Sequence, residues 1–150
     1  MKLSTRVRYG VRAMIELAKQ TGRKPVPLHE LAKNQTISAK YLEQMATSLK
    51  IAGLIESVRG AEGGYRLARP ATDITVWDIY SVLDVAVDLS DCHKNPCGSM
   101  DCSKDNVCAA GELWHDINVS VAKMLKAKTL RDLVEKEPVQ EKPAKMRKAN

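Results

Sequence analysis

The stretch from Ser38 to Pro70 constrains the fold most, because a helical period gives way there to a strand period with no linker between them. Ser38 is a helix N-cap residue, since its hydroxyl can accept a backbone N–H two or three residues on. Leu42, Met45 and Leu49 then form an inward stripe, and Ala46 and Ala52 allow close helix contact. Gly53 is the C′ residue, free to turn left-handed, and Leu54 folds back as its apolar clasp. Residues 54–58 read as a strand, 59–64 as a glycine-rich turn and 65–67 as the return strand, with Pro70 closing the unit.

Upstream, Val7, Val11, Met14, Ile15 and Ala18 recur at helical spacing and predict a helix over 5–19. Thr21-Gly22 ends it, and Pro25 and Pro27 mark a short connection. A shorter helix starts near Leu28, buries Leu31 and Ala32, and stops around residues 34–36, leaving Ile37 as a buried plug in a tight turn. Two short helices, a turn, a longer helix and then a hairpin carrying Arg59 and Arg66 make a winged helix-turn-helix. The fold class is mainly α with a small β-hairpin.

Beyond the hairpin, Thr75 and Asp78 have capping-box spacing ahead of a helix lined by Val76, Ile79, Val82 and Leu83. A polar segment without periodicity follows. From Gly111 to about residue 127 an amphipathic helix places Trp114, Ile117, Val121, Met124 and Leu125 along one side, with Leu113 beside them. Such a helix on a small domain predicts a homodimer, because bacterial operators are commonly read by two-fold dimers. Thr129, with Asp132 at the third position, caps a final turn over 130–134. The organisation is therefore a DNA-binding domain over 1–72, then a cysteine loop (91–108) and dimerisation helix within 73–134. A charged tail over 135–150, with Pro138, Pro143 and little apolar content, is expected to be disordered.

The charge is unevenly spread. Residues 1–69 carry 13 Lys/Arg against 5 Asp/Glu, whereas 70–150 carry 11 against 13. The basic half is the candidate polyanion binder, and double-stranded operator DNA is the expected partner. On the second helix of the motif, Lys40, Tyr41, Glu43, Gln44, Thr47 and Ser48 face outward, with Ser38 at its cap. Gln44 can read adenine, and Glu43 can accept from the cytosine amino group. Tyr41, Thr47 and Ser48 can reach phosphates. Arg59-Gly60 at the hairpin tip suits a narrow minor groove, and Arg66 lies on the return strand. Aromatics are only 4% of the chain and Phe is absent, so the core is aliphatic.

All four cysteines, Cys92, Cys97, Cys102 and Cys108, fall in one polar loop. The N-terminus has no apolar leader, and no run approaches the roughly 18 apolar residues of a membrane span, so a cytoplasmic protein without membrane contact is expected. Cytoplasmic thiols stay reduced, which disfavours a disulfide knot. Three uses of the thiols remain. Thiolates are the usual iron–sulfur ligands. Four of them can also close around zinc, although the loop lacks the C-x2-C pair that suits it. A thiol switch needs no metal, and Lys94 or Lys104 can lower a nearby thiol pKa. No Gly-rich phosphate loop after a strand, H-E-x-x-H or G-x-S-x-G motif occurs, and His29, His93 and His115 are scattered, so an enzyme is not expected.

RYGVRAM, VPLHELA, YLEQ, GLIESVRGAEGGYRLARP, ITVWDI, the loop cysteines and ELW stand in the order seen in one family. From Met1 to about Val134 the chain resembles the Rrf2 family of bacterial winged-helix transcription factors, and most closely its iron–sulfur members. The resemblance implies a DNA-binding homodimer that senses iron–sulfur status, nitric oxide or redox stress through a cluster, 2Fe–2S or 4Fe–4S, in this loop. It implies base reading by Glu43 and Gln44, a minor-groove wing at Arg59 and Gly60, and Cys92 and Cys108 as first and last cluster cysteines. Two departures stand out. The related loops usually carry three cysteines, and the histidine that follows their last cysteine is here Gly111. Cys97 or Cys102, or both, then complete the site; His93, Glu112 or a loop aspartate are the other candidate donors. The alternative cofactor state is zinc or none.

Overall fold

The computed structural model describes residues 4–20, 24–60, 63–84 and 109–136. Helix α1 spans Thr5–Ala18 and is capped by Ser4, whose hydroxyl accepts the Val7 N–H at 3.3 Å. Helix α2 (Leu28–Gln35) ends on Thr36, which is left-handed at φ 56°. That conformation costs a non-glycine residue about 1–2 kcal/mol. It is offset by the turn it permits, in which the Thr36 and Ile37 N–H groups bond Lys33 and Ala32 carbonyls at 3.1 Å each. Ile37, expected to be a buried plug, is half-buried. Helix α3 spans Ala39–Ile51 and buries Leu42, Met45, Ala46 and Leu49. Gly53 takes φ 69° as its C′ glycine, and the Leu54 N–H returns to the Leu49 carbonyl at 3.0 Å.

The wing is an antiparallel hairpin of β1 (Ile55–Val58) and β2 (Gly64–Leu67), pairing Ile55 with Leu67 and Val58 with Gly64. One further residue joins it. Val26, extended between Pro25 and Pro27, exchanges hydrogen bonds with Tyr65 at 2.8 and 2.9 Å and ties the wing to the α1–α2 connection.

A short 3-10 turn, Ala71–Asp73, leads to α4 (Val76–Leu83), which buries Ile79 and Leu83 while Val76 and Val82 are half-buried. Helix α5 runs Ala109–Lys126, and α6 runs Leu130–Lys136, two residues beyond the helical turn expected there. The remainder of the expected tail, 137–150, lies outside the described residues.

The starts of α4 and α6 are clasped together. Thr75 and Thr129 form an antiparallel bridge; the Val76 N–H bonds the Lys128 carbonyl, and the Leu130 N–H bonds the Ile74 carbonyl, both at 2.8 Å. Each helix also carries its predicted capping box. The Thr75 and Thr129 backbone N–H groups donate to Asp78 and Asp132 carboxylates at 2.8 Å, and both threonine hydroxyls accept in return. These bonds hold the Asp132 carboxyl below its usual value, with the Thr129 backbone N–H the largest cause, then the Thr129 hydroxyl, with Lys128 and Lys136 adding to it.

The core is aliphatic, as the composition requires. Val7, Met14, Met45, Leu54, Ile74, Ile79 and Leu130 are its most enclosed large side chains. They come from α1, α3, α4, α6 and the segments joining them, so α6 belongs to the same core as the helix-turn-helix. Among the described residues, no side chain of α5 is part of that core.

Candidate nucleic-acid interface

Lys40, Glu43, Gln44 and Thr47 are all exposed on α3. At about 100° per residue they fall within one arc less than a third of a turn wide, opposite the buried Leu42–Leu49 stripe. The Ser38 hydroxyl accepts the Tyr41 N–H at 3.2 Å, which leaves its own O–H free to donate outward. Thr47 donates to the Glu43 carbonyl at 2.9 Å, so the hydroxyl proton is used within the helix and its lone pairs face out. Ile51, 82% exposed, continues the same arc at the helix end; an apolar residue there carried no signal among polar neighbours.

Tyr41 and Ser48 behave differently, because they sit on the flank facing α1. Both are half-buried. Tyr41 meets Tyr9 edge-to-face, with ring centroids 6.5 Å apart at 90°. The Ser48 hydroxyl donates to the Gln44 carbonyl at 3.3 Å and accepts from Arg6 Nη2 at 2.9 Å. Arg6 and Tyr9, which the sequence did not single out, thus border the candidate interface through these contacts. Lys50, near the end of α3, reaches Ser57 of β1 at 3.5 Å and braces the helix against the wing.

At the wing tip Arg59 is exposed, and Gly60 has φ 117°, a conformation that side-chain-bearing residues rarely adopt. The Gly63 N–H closes the turn on the Gly60 carbonyl at 2.9 Å. Arg66 is paired across the hairpin with Glu56, Nε to Oε1 2.6 Å. Its charge is partly offset before any DNA arrives, so Arg59 is the freer cation of the two.

Cys92, Cys97, Cys102 and Cys108 lie outside the described residues, as do His93 and the loop aspartates. The helices on either side are placed. Asp84 ends α4 in an extended conformation, and α5 begins at Ala109 with Gly111 in its first turn. Glu112, at the start of α5, is exposed. Burial and the neighbouring Asp84 push the Tyr80 phenol up, so it stays protonated. The expected dimer face of α5 is divided: Ile117, Val121 and Leu125 are half-buried, while Trp114 and Met124 are exposed, as are Leu113 and Val119. Lys126 lies over the Trp77 ring of α4 at 5.1 Å, and Trp77 stacks on Tyr80, which fixes the C-terminal end of α5 against α4. Among the described residues, no helix is long and apolar enough to cross a membrane.

A helix-turn-helix running directly into a two-stranded wing, with its second helix presenting polar side chains to solvent, defines a winged-helix DNA-binding regulator. The chain belongs to the Rrf2 family, described as an iron-dependent transcriptional regulator, which it matches over residues 3–136. It is 39% identical to the HTH-type transcriptional regulator IscR of Vibrio atlanticus (strain LGP32) over 141 residues, 94% of this chain and 79% of that one. Among solved structures it is similar to T. potens IscR, with TM-score 0.76 and 36% identity over 95% of this chain and 93% of that one. It is equally similar to CymR (YrzC), the global cysteine regulator of B. subtilis, with TM-score 0.76 and 37% identity over 92% of this chain and 99% of that one. The role these relatives share is regulation of transcription, which is not an enzymatic one.

Proposed function

We propose that the chain is a cytoplasmic, homodimeric regulator whose hold on operator DNA is set by an iron–sulfur cluster bound at Cys92, Cys97, Cys102 and Cys108. The observation that carries this reading is positional. The segment holding every thiol joins α4, which packs on the DNA-reading domain, to α5, which contributes nothing to the core among the described residues. An amphipathic helix of 18 residues with Leu113, Trp114 and Met124 exposed needs a partner surface, and a second α5 supplies one.

The donor set fits the cofactor. Four soft thiolates within one loop suit an iron–sulfur cluster, and the family description as iron-dependent points the same way. With glycine at position 111, a four-cysteine site needs no imidazole. When bound, the cluster supplies a centre that responds to oxidants, nitric oxide and iron supply. The chain's own part is to order residues between α4 and α5 around it, and so to set how two α3 helices are spaced.

Anaerobic purification with an absorption spectrum and iron, sulfide and zinc analysis tests the cofactor. Cys92→Ala and Cys108→Ala are each expected to abolish the visible absorption and change operator affinity. Unchanged affinity in cluster-free protein on every operator tested overturns the switch. A second reading, a zinc-containing or cluster-free regulator responding to thiol state, is favoured by the equal similarity to a cysteine regulator. Zinc at one per chain, or reversible loss of free thiols without iron, would select it.

A further inference from the structure

Arg6 has an unusual position for an arginine. It is half-buried on α1; among the described residues its Nε is enclosed with no hydrogen-bond partner, and the one acceptor its guanidinium meets is the neutral Ser48 hydroxyl. Among the described residues no carboxylate pairs with it. A guanidinium that is partly desolvated and lacks a counter-charge is costly, and such groups normally meet an anion. After the bond to Ser48, three N–H donors on its two terminal nitrogens remain unused.

The location identifies the anion. Ser48 lies on the flank of α3, just beside Gln44 on the exposed arc. When a recognition helix enters a major groove, the phosphates of the groove walls run along its flanks. We propose that Arg6 is a phosphate contact of the bound DNA, held in place by Ser48, so that α1 grips the backbone beside the helix that reads the bases. This rests on the DNA-binding reading above. Ser48 then acts as a positioning residue whose hydroxyl aims the guanidinium, rather than as a phosphate contact itself. The Tyr9–Tyr41 contact, from the residue three on from Arg6, holds α1 and α3 at the distance this requires.

The test is the salt dependence of binding to a mixed-sequence duplex of about 30 base pairs, where affinity comes from phosphate contacts alone. Loss of one phosphate contact lowers the slope of log K against log salt by about 0.9 for each protomer bound, an effect a purely structural residue does not produce. Arg6→Gln and Arg6→Met, the latter keeping an unbranched apolar stem, are both expected to lose this slope and about tenfold in affinity. Arg6→Lys is expected to keep the slope. Ser48→Ala is expected to keep it as well, with a loss of a few-fold. Wild-type slope in whichever neutral variant retains its helical spectrum and thermal midpoint overturns the proposal. Absence of salt-dependent binding by the wild-type protein would instead overturn the DNA-binding reading itself.

Discussion

Helices α3 and α5 are both amphipathic, yet the chain treats them in opposite ways. The 13-residue α3 buries four side chains and shows solvent an almost wholly polar arc. The 18-residue α5 leaves Leu113, Trp114, Val119 and Met124 exposed. The first is complete within one chain and presents hydrogen-bonding groups outward, as a helix that meets DNA must. The second is only half covered, which is why the proposed dimer is placed on its apolar side. On the proposed function, reading and assembly fall to separate helices, with the cysteine segment leading into the second.

Met45→Ala breaks the comparison from the α3 side. Met45 is fully enclosed, so truncation is expected to cost about 2–5 kcal/mol, read as a lower urea midpoint for the whole domain. Trp114→Ala acts from the other side. It is expected to leave the urea midpoint of dilute protein little changed while weakening the dimer by about 2–4 kcal/mol, seen as monomer in sedimentation; equal sedimentation of variant and wild type would remove α5 from the interface. Thr75→Ala and Thr129→Ala sharpen the contrast, because each removes one cap of the clasp beneath α5, at about 1 kcal/mol in thermal stability.

Asp132 gives a pH signature. Its folded carboxyl lies below the ordinary 3.8, so its contribution is complete above that value and is lost as pH falls through the lower, folded one. Asp132→Asn is expected to be less stable at neutral pH and to lose less on acidification, measured by thermal melts down a pH series. The smallest effect belongs to the wing. Glu56→Gln is expected to cost under about 1 kcal/mol, and freeing Arg66 is expected to raise affinity for mixed-sequence DNA slightly.

What could be read from the sequence was local. Both capping boxes lie within four residues, and both appear as expected. The Gly53 terminus and the hairpin tip were equally visible, since glycine at those places has few other uses. The left-handed Thr36 was hidden because threonine does not announce that conformation. Val26 was hidden because one extended residue between prolines has no period to detect. The Arg6–Ser48 bond joins residues 42 apart in sequence and depends on the angle at which α1 crosses α3. Pattern reading therefore found the face of α3 and missed what flanks it. The four cysteines were the plainest chemical signal in the chain, because no thiol occurs outside residues 92–108.

The clasp between Thr75 and Thr129 has an evolutionary consequence. It fixes the entry to α4 and the exit from α5 to each other, with α4 itself seated in the core, so the residues between α4 and α5 belong to an excursion whose two ends are held together. Closing a longer excursion costs only about 0.6 kcal/mol for each doubling of its length. Insertions, deletions and substitutions between α4 and α5 can therefore accumulate without unsettling the helices of the DNA-binding domain. One scaffold can in this way be fitted with different chemical detectors while its grip on the double helix is conserved.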